Sequence, residues 1–235
     1  MKISKTTLDL LKNFSTINTG IIIREGNEIG TMNNSSSVVA FATVPETFPV
    51  QFGIYDLNNF ISTVNLFEDP DIEFGENMMT ITGGVSRCSY GYAEESVIKT
   101  PKSKVKFPGG EVNFTLTKEV FDRIMKASQT LQLPMLCVTK DKDSNIVLKA
   151  IDTKNPNGNA FSVVVGRDVS GNEYNLYIMS DLMKMVRGDY EVSLSSRLVS
   201  HFKSSDSEYF VALEKTSEFK AAAKVNTPWE DDAEE

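Results

Sequence analysis

The chain has 235 residues and two cysteines, which is long enough for one or two domains with a hydrophobic core and too poor in cysteine for a disulfide framework. Its 24 lysines and arginines stand against 32 aspartates and glutamates, and the formal net charge of −8 by itself argues against a nucleic-acid partner. We find no secretory segment after Met1 and no apolar run of about 18 residues, so we expect a reduced, soluble, intracellular protein.

The first half is predicted to alternate between helices and short strands. Ser4 is a suitable helix cap, and Leu8, Leu11 and Phe14 follow at helical spacing, which predicts a helix over 2–14. A second amphipathic helix is predicted over 56–66, where Asp56 can cap the first turn. Apolar runs separated by turn residues predict strands at 21–24, 29–32, 38–44, 48–55, 72–74, 78–82 and 87–92.

A change of composition marks a connector between two predicted domains. The thirteen residues from Ile98 to Gly110 contain two prolines, two glycines and four lysines, which cannot sustain a helix or a central strand. We therefore predict domains at 1–98 and 111–214, a connector at 99–110 and an acidic tail at 215–235. Val105 and Phe107 in the connector either form a landing site for a partner peptide or simply pin the connector to the body.

The second half repeats the same arrangement. Helices are predicted over 117–129, capped by Thr117, and over 180–187. Strands are predicted at 111–116, 135–140, 146–151, 160–166, 175–179 and 209–213. The tail ends in TPWEDDAEE, where Trp229 stands beside five acidic residues, and is either a solubilising end or a peptide that docks on a partner.

An internal duplication supports two similar domains. Residues 51–81 pass from a strand through Asp56-Leu57 to a short helix, a turn and a new strand, and residues 174–196 do the same through Asp181-Leu182. The two Asp-Leu pairs lie 125 residues apart, from 56 to 181, which is about one domain length.

Catalytic chemistry has little support in this sequence. His201 is the only histidine, which excludes a metal site built from several histidines and leaves any hydrolase triad dependent on one residue. Asp141, Asp143 and Asn145 begin like a calcium loop, but Ile146 replaces the turn glycine, so a hairpin turn is the better interpretation. We predict no enzyme activity, no cofactor and no metal.

The positive charges concentrate in the predicted helices. Eight cationic residues in the four helices exceed five anionic ones, although the whole chain is acidic. If the helices share one surface, that surface is mildly basic and is the only place that could accept nucleic acid. The cationic residues are Lys2, Lys5, Lys12, Lys118, Arg123, Lys126, Lys184 and Arg187.

Several longer segments resemble a known family. The segments are MKISKTTLDLLKNFSTINTGI, IYDLNNF, VFDRIMKASQTLQLPMLCVT, MSDLMKMVRGDYEVSL and EYFVALE. They occur in the order found in the sliding clamps of T-even-type phages, and together they cover both halves. The resemblance implies an α+β DNA-clamp fold, with two similar domains of two helices each packed on antiparallel sheet, and three chains closing head to tail into a ring.

The resemblance also implies a function and a set of partners. A clamp of this family encircles double-stranded DNA without reading its sequence and tethers the phage DNA polymerase. It is loaded by a clamp loader ATPase and also serves late transcription factors. The expected location is the cytoplasm of the infected bacterial host, with no membrane contact.

Two groups of site residues follow from the resemblance. The eight helix cations are carried over as DNA-facing residues. A pocket beside the connector is expected to take a short apolar peptide from partner proteins, with Val105, Phe107, Val211 and Leu213 as its candidate residues. For the subunit junction, the edges near 86–92 and 160–166 are candidates.

Two other interpretations stay open at this stage. An acidic, β-rich phage structural protein without a DNA function would be indifferent to Lys5→Glu with Lys126→Glu in DNA synthesis. A hydrolase built on His201 would lose activity in a His201→Ala variant.

Overall fold

The computed structural model describes residues 1–222, and the Trp229 segment lies outside them. Within this range the chain forms three α-helices, each with a polar cap. The Ser4 hydroxyl and the Thr117 hydroxyl accept hydrogen bonds from the third residue of the helix that follows, and the Asp56 carboxylate accepts two. The helices are α1 (Lys5–Ser15), α2 (Leu57–Val64) and α3 (Lys118–Thr130).

Sixteen strands surround these helices in the described part of the chain. The first half contains β1 (Ile21–Ile23), β2 (Gly26–Met32), β3 (Val38–Phe48), β4 (Phe52–Ile54), β5 (Asp71–Phe74), β6 (Met78–Gly83) and β7 (Ser86–Gly91). The second half contains β8 (Val112–Leu116), β9 (Met135–Lys140), β10 (Asn145–Ile151), β11 (Phe161–Arg167), β12 (Glu173–Met179), β13 (Tyr190–Ser195), β14 (Val199–Lys203), β15 (Ser207–Ala212) and β16 (Glu218–Lys220).

The strands form four antiparallel sheets. A six-stranded sheet has the order β2-β3-β15-β14-β13-β8, and a five-stranded sheet has the order β11-β10-β9-β12-β16. A three-stranded sheet, β5-β6-β7, and the pair β1-β4 belong to the first half alone. The six-stranded sheet joins the two halves, because β3 of the first half pairs with β15 of the second, with Ala40 opposite Tyr209.

Alternate residues of the six-stranded sheet point to opposite faces, and the helices cover one of those faces. Phe14 of α1 meets Tyr209 edge-on at 6.5 Å between ring centroids, and Phe121 of α3 meets Tyr190 at 6.1 Å. Tyr190 and Tyr209 are themselves neighbours at 6.0 Å, so α1 and α3 pack on the same face of the sheet. Each of these buried aromatic side chains contributes roughly 1.5–3 kcal/mol by leaving water.

The opposite face of this sheet carries the connector. Phe210 and His201, which alternate in the strands with the helix-facing Tyr209 and Phe202, stack on each other with ring centroids 4.4 Å apart. Phe107 packs on His201 from outside at 5.1 Å. Helices and connector therefore lie on opposite sides of the molecule.

The predicted fourth helix is wrong. Residues 180–187 form only a short 3₁₀ turn (Ser180–Leu182), and the chain then runs without regular structure to β13. Met183 and Met185 are both buried, and this alternation of two residues suits an extended chain and not a helix. Tertiary packing has overridden the helical pattern of the sequence.

The predicted tail is also shorter than expected. β16, inside the range 215–235, pairs with β12 and completes the five-stranded sheet, and Phe219 stacks on Tyr174 at 6.3 Å. The first residues of the predicted tail therefore belong to the folded body. Across residues 1–222 no helix has the length and apolar character needed to cross a bilayer.

Candidate nucleic-acid interface

The outward sides of α1 and α3 carry cations that are free of acidic partners. Lys5 and Lys12 on α1 and Lys126 on α3 are exposed, and within residues 1–222 none of the three forms an ion pair. Because both helices pack on one face of the six-stranded sheet, these lysines belong to one side of the molecule. They form the core of the candidate interface.

Other predicted DNA-facing cations are already paired with carboxylates. The Lys118 ammonium lies 2.9 Å from the Asp122 carboxylate one helical turn away, and Arg123 pairs in the same way with Glu119. Lys2, just before α1, pairs with Asp69, and the hydrogen bond to that carboxylate raises the lysine pKa. Ion pairs between exposed side chains are weak, so phosphate oxygens can compete for these cations.

Arg187 is half-buried and is held by α3. Its guanidinium lies 4.1 Å from the centre of the Phe121 ring and its Nε lies 3.7 Å from Asp122. Burial lowers the pKa of Arg187, and the Asp122 charge opposes that effect. This side chain fastens the irregular segment before β13 to α3 and is poorly placed to guide DNA.

Lys184 is exposed but also engaged. Its ammonium donates a hydrogen bond to the Thr16 carbonyl at the end of α1, at 2.9 Å. Within residues 1–222, the eight predicted cations thus separate into Lys5, Lys12 and Lys126, which form no ion pair, and five that have partners. Scattered lysines without a built anion site can attract a phosphate backbone but cannot read bases or hold one register.

The first part of the connector is fastened to the residues on either side of β1 and to the edge strand β2. The Asn18 amide donates to the Lys99 carbonyl at 3.0 Å, and the Arg24 guanidinium donates to the Pro101 carbonyl at 2.9 Å. Lys104 pairs with Glu28 on β2. These contacts hold the connector, which has no regular secondary structure, beside β2 and β3.

A cavity of about 500 Å³ lies between the connector and the strands β2 and β3. Val105, one of the four candidate pocket residues, is in its lining, and Met32 and Val39 on β2 and β3 supply apolar surface that the sequence did not indicate. The remaining lining residues are Ile98, Lys99, Thr100, Pro101, Lys102 and Ser103. A groove of mainly apolar surface with lysines at its rim suits a short apolar peptide with an acidic end.

The other three predicted pocket residues lie elsewhere. Phe107 packs on His201 and does not line this cavity. Val211 and Leu213 are 0% and 5% exposed, because they point into the core. In a strand where consecutive residues are apolar, the sequence does not tell which of them faces inward.

The contacts of His201 are those of a packed side chain in the sheet and not those of a catalytic residue. Its Nε2 lies 2.9 Å from the Glu208 carboxylate, and its ring is sandwiched between Phe107 and Phe210. Asp141 likewise accepts hydrogen bonds from the Asp143 and Asn145 amides, which is the turn predicted for that loop. Neither group belongs to a cluster of three or more His, Cys, Asp or Glu side chains that could hold a metal ion in the described part of the chain.

Comparison with known proteins gives consistent matches over both halves. A family model described as DNA polymerase processivity factor matches residues 2–98, and one described as gp45 sliding clamp, C terminal, matches residues 113–215. The chain is 34% identical over 219 residues to the sliding clamp of Vibrio phage KVP40, covering 91% of this chain and 99% of that protein. It is 28% identical over 226 residues to the sliding clamp of Enterobacteria phage T4, covering 92% and 98%.

Solved structures share the fold at low sequence identity. Proliferating cell nuclear antigen of A. fulgidus, solved with the C-terminal region of FEN-1, has a TM-score of 0.65 at 10% identity, covering 90% of this chain and 96% of that one. The DNA polymerase III β subunit of Pseudomonas aeruginosa has a TM-score of 0.59 at 10% identity, covering 88% and 62%. The fold is therefore that of the DNA clamps, and the chain belongs to the sliding-clamp family of DNA polymerase processivity factors.

Proposed function

We propose that three copies of this chain close head to tail into a ring around duplex DNA, and that the ring tethers the phage DNA polymerase during synthesis. The observation that carries the proposal is the placement of α1 and α3 on one face of the six-stranded sheet, opposite the connector. In a ring with the helices inside, Lys5, Lys12 and Lys126 of each subunit face the duplex. Acidic residues then predominate on the outside, which repels other DNA.

Enclosure explains why so weak a basic surface is sufficient. Phosphate contacts lose affinity steeply with salt, with a slope of about −0.9 per phosphate neutralised on B-DNA. A closed ring stays on the duplex without such contacts, and strong contacts would slow its movement. Three free lysines per subunit guide the duplex without fixing its register.

Two unpaired sheet edges support head-to-tail closure. β7 is the outer strand of the three-stranded sheet in the first half, and β11 is the outer strand of the five-stranded sheet in the second. A heterologous contact requires two different surfaces on each subunit, and exposed strand edges readily pair with another chain. Val164 on β11 is 56% exposed and would gain burial in such a junction.

The cavity beside the connector is our candidate site for the polymerase and other partners. A clamp loader ATPase would open one junction of the ring, and late transcription factors would use the same cavity in turn. We assign the ring domains to 1–98 and 111–214, with β16 completing the sheet of the second domain, and the connector at 99–110 joins them. The protein itself would hydrolyse nothing and would work in the cytoplasm of the infected bacterium.

Primer extension by the cognate polymerase tests this function. With the protein, its loader and ATP present, we expect products many times longer than those made by the polymerase alone. A Met32→Glu variant places a charge in the cavity and should shorten the products again, while Lys106→Gln, a change on the exposed part of the connector, should leave them long. Equal product lengths with and without the wild-type protein would refute the proposal.

A further inference from the structure

The segment that replaces the predicted fourth helix lies at the joint between the two halves. It runs from Met183 to Arg187, and a cleft of about 310 Å³ separates it from the C-terminal ends of α1 and α3. α1 belongs to the first half, whereas the segment and α3 belong to the second. The joint is therefore the place where the helix layers of the two halves meet.

Asn13 on α1 bridges this joint with both ends of its side-chain amide. Its Oδ1 accepts a hydrogen bond from the Tyr209 hydroxyl at 3.1 Å, and its Nδ2 donates one to the Lys184 carbonyl at 3.3 Å. The Lys184 ammonium returns a hydrogen bond to the Thr16 carbonyl at 2.9 Å. These three bonds link residues that are 168 to 196 positions apart in the chain.

Two buried tyrosines complete the bridge from the side of the sheet. The Tyr190 hydroxyl donates to the Val186 carbonyl at 2.6 Å, and the Tyr209 hydroxyl accepts from the Val186 amide at 3.4 Å. Tyr190 and Tyr209 are 2% and 0% exposed. In a helix the Val186 amide and carbonyl would pair with backbone groups four residues away on either side, whereas here two tyrosine hydroxyls bind them and hold the segment in its path.

The backbone link between the halves leaves the angle between them to other contacts. β3 and β15 share a ladder of hydrogen bonds, but two strands within a sheet can still change their mutual twist. Asn13 lies on the helix side of that ladder, so its hydrogen bonds restrict the angle between the two halves. The connector contacts lie on the other side.

We propose that Asn13 is a positioning residue that sets the angle between the two halves, and that this angle decides whether three chains close into a ring. The inference rests on the proposed ring. Three head-to-tail contacts close into a ring only when each subunit contributes a rotation of one third of a turn. A loose joint must be ordered when the ring closes, and this ordering costs conformational entropy. Because the ring contains three subunits, a joint that is already ordered avoids this entropic cost three times in each ring.

Solution mass and thermal unfolding of matched variants test the proposal. Asn13→Leu keeps the size of the side chain and removes both hydrogen bonds. Ser15→Ala, two residues further along α1, is the control, since the Ser15 hydroxyl bonds only to Lys12 and to Asn58 of α2, within the first half. We expect trimer assembly of Asn13→Leu, measured by sedimentation over a range of concentrations, to require about tenfold more protein than that of the wild type or Ser15→Ala.

The possible outcomes distinguish the role of Asn13 from the existence of the ring. Trimers of Asn13→Leu as stable as those of Ser15→Ala would overturn the role of Asn13, while a wild-type chain that stays monomeric at every concentration would overturn the ring itself. If Asn13→Leu fails to fold, Tyr209→Phe provides the same test, because it removes only the hydroxyl that joins Asn13 to Val186. A loss of assembly with monomer melting temperatures equal to that of Ser15→Ala supports a positioning role, whereas a loss that merely follows the melting temperature contradicts it.

Discussion

Lys126 offers the sharpest test of which face meets DNA. Lys126 lies on α3, without an ion pair in the described chain, whereas Lys106 lies on the connector at the opposite side of the six-stranded sheet. Replacing either residue by glutamine changes the net charge of the chain equally. Only the change at Lys126 should alter contact with a duplex inside the ring.

The expected size follows from the number of subunits. A trimer loses three copies of Lys126, and each phosphate contact contributes about 0.9 to the salt slope, so the slope should become shallower by at most about 2.7. Because mobile lysines do not each hold a phosphate all the time, the measured change should fall below that limit.

The assay is the binding of a short labelled duplex by fluorescence anisotropy at several salt concentrations. We expect a shallower slope for Lys126→Gln and an unchanged slope for Lys106→Gln. Equal slopes for Lys126→Gln and Lys106→Gln would refute the assignment of the helix face.

Three further predictions concern stability and reactivity. Asp56→Ala removes the acceptor for two amides at the start of α2, at 2.9 and 3.1 Å, and should cost about 1 kcal/mol of unfolding free energy, seen as a melting temperature about 2–4 °C lower; no change would contradict the capping role. Burial acts to raise the pKa of Glu46, but hydrogen bonds from Thr7 and Ser4 outweigh it and the pKa is lowered, so the stability that Glu46 contributes is present at neutral pH and is lost as the pH falls through the folded-state pKa. Urea unfolding should therefore show Glu46→Gln to be destabilising at pH 7 by an amount that shrinks as the pH is lowered into the acid range, and a deficit that does not change with pH would be inconsistent with this linkage. Burial raises the pKa of the Cys137 thiol to about 11, so mass spectrometry should find it unmodified by iodoacetamide at neutral pH until urea is added, and equal labelling before and after unfolding would contradict this.

The helices with polar caps could be predicted from sequence because local signals and packing agree. Ser4, Asp56 and Thr117 each precede an amphipathic run, and each caps the helix expected there. The segment after Asp181 carried a similar signal, but its methionines are buried at alternate positions and the Tyr190 and Tyr209 hydroxyls bind its backbone. Tyr190 lies only four residues from Val186, but Tyr209 comes from β15, 23 residues away, so a local window of sequence contains only part of the information.

The two candidate sites could be predicted to different extents. The i,i+4 pairing of Lys118 with Asp122 follows from helical spacing, but the pairing of Arg187 with Asp122 depends on how the segment before β13 packs against α3. The connector was recognisable from its prolines, glycines and lysines. Its cavity was not, because Met32 and Val39 come from strands far away in the chain, and because the apolar run around Val211 conceals which residues face outward.

The central claim is that the protein holds DNA by enclosing it. Retention on circular and on linear DNA tests this claim most directly. The labelled protein is loaded on a nicked circular duplex with its loader and ATP, free protein is removed, and half of the sample is cut once with a restriction enzyme. We predict that the protein stays on the circle and leaves the cut molecule rapidly through its ends. Dissociation at the same rate from circle and linear duplex would contradict the account.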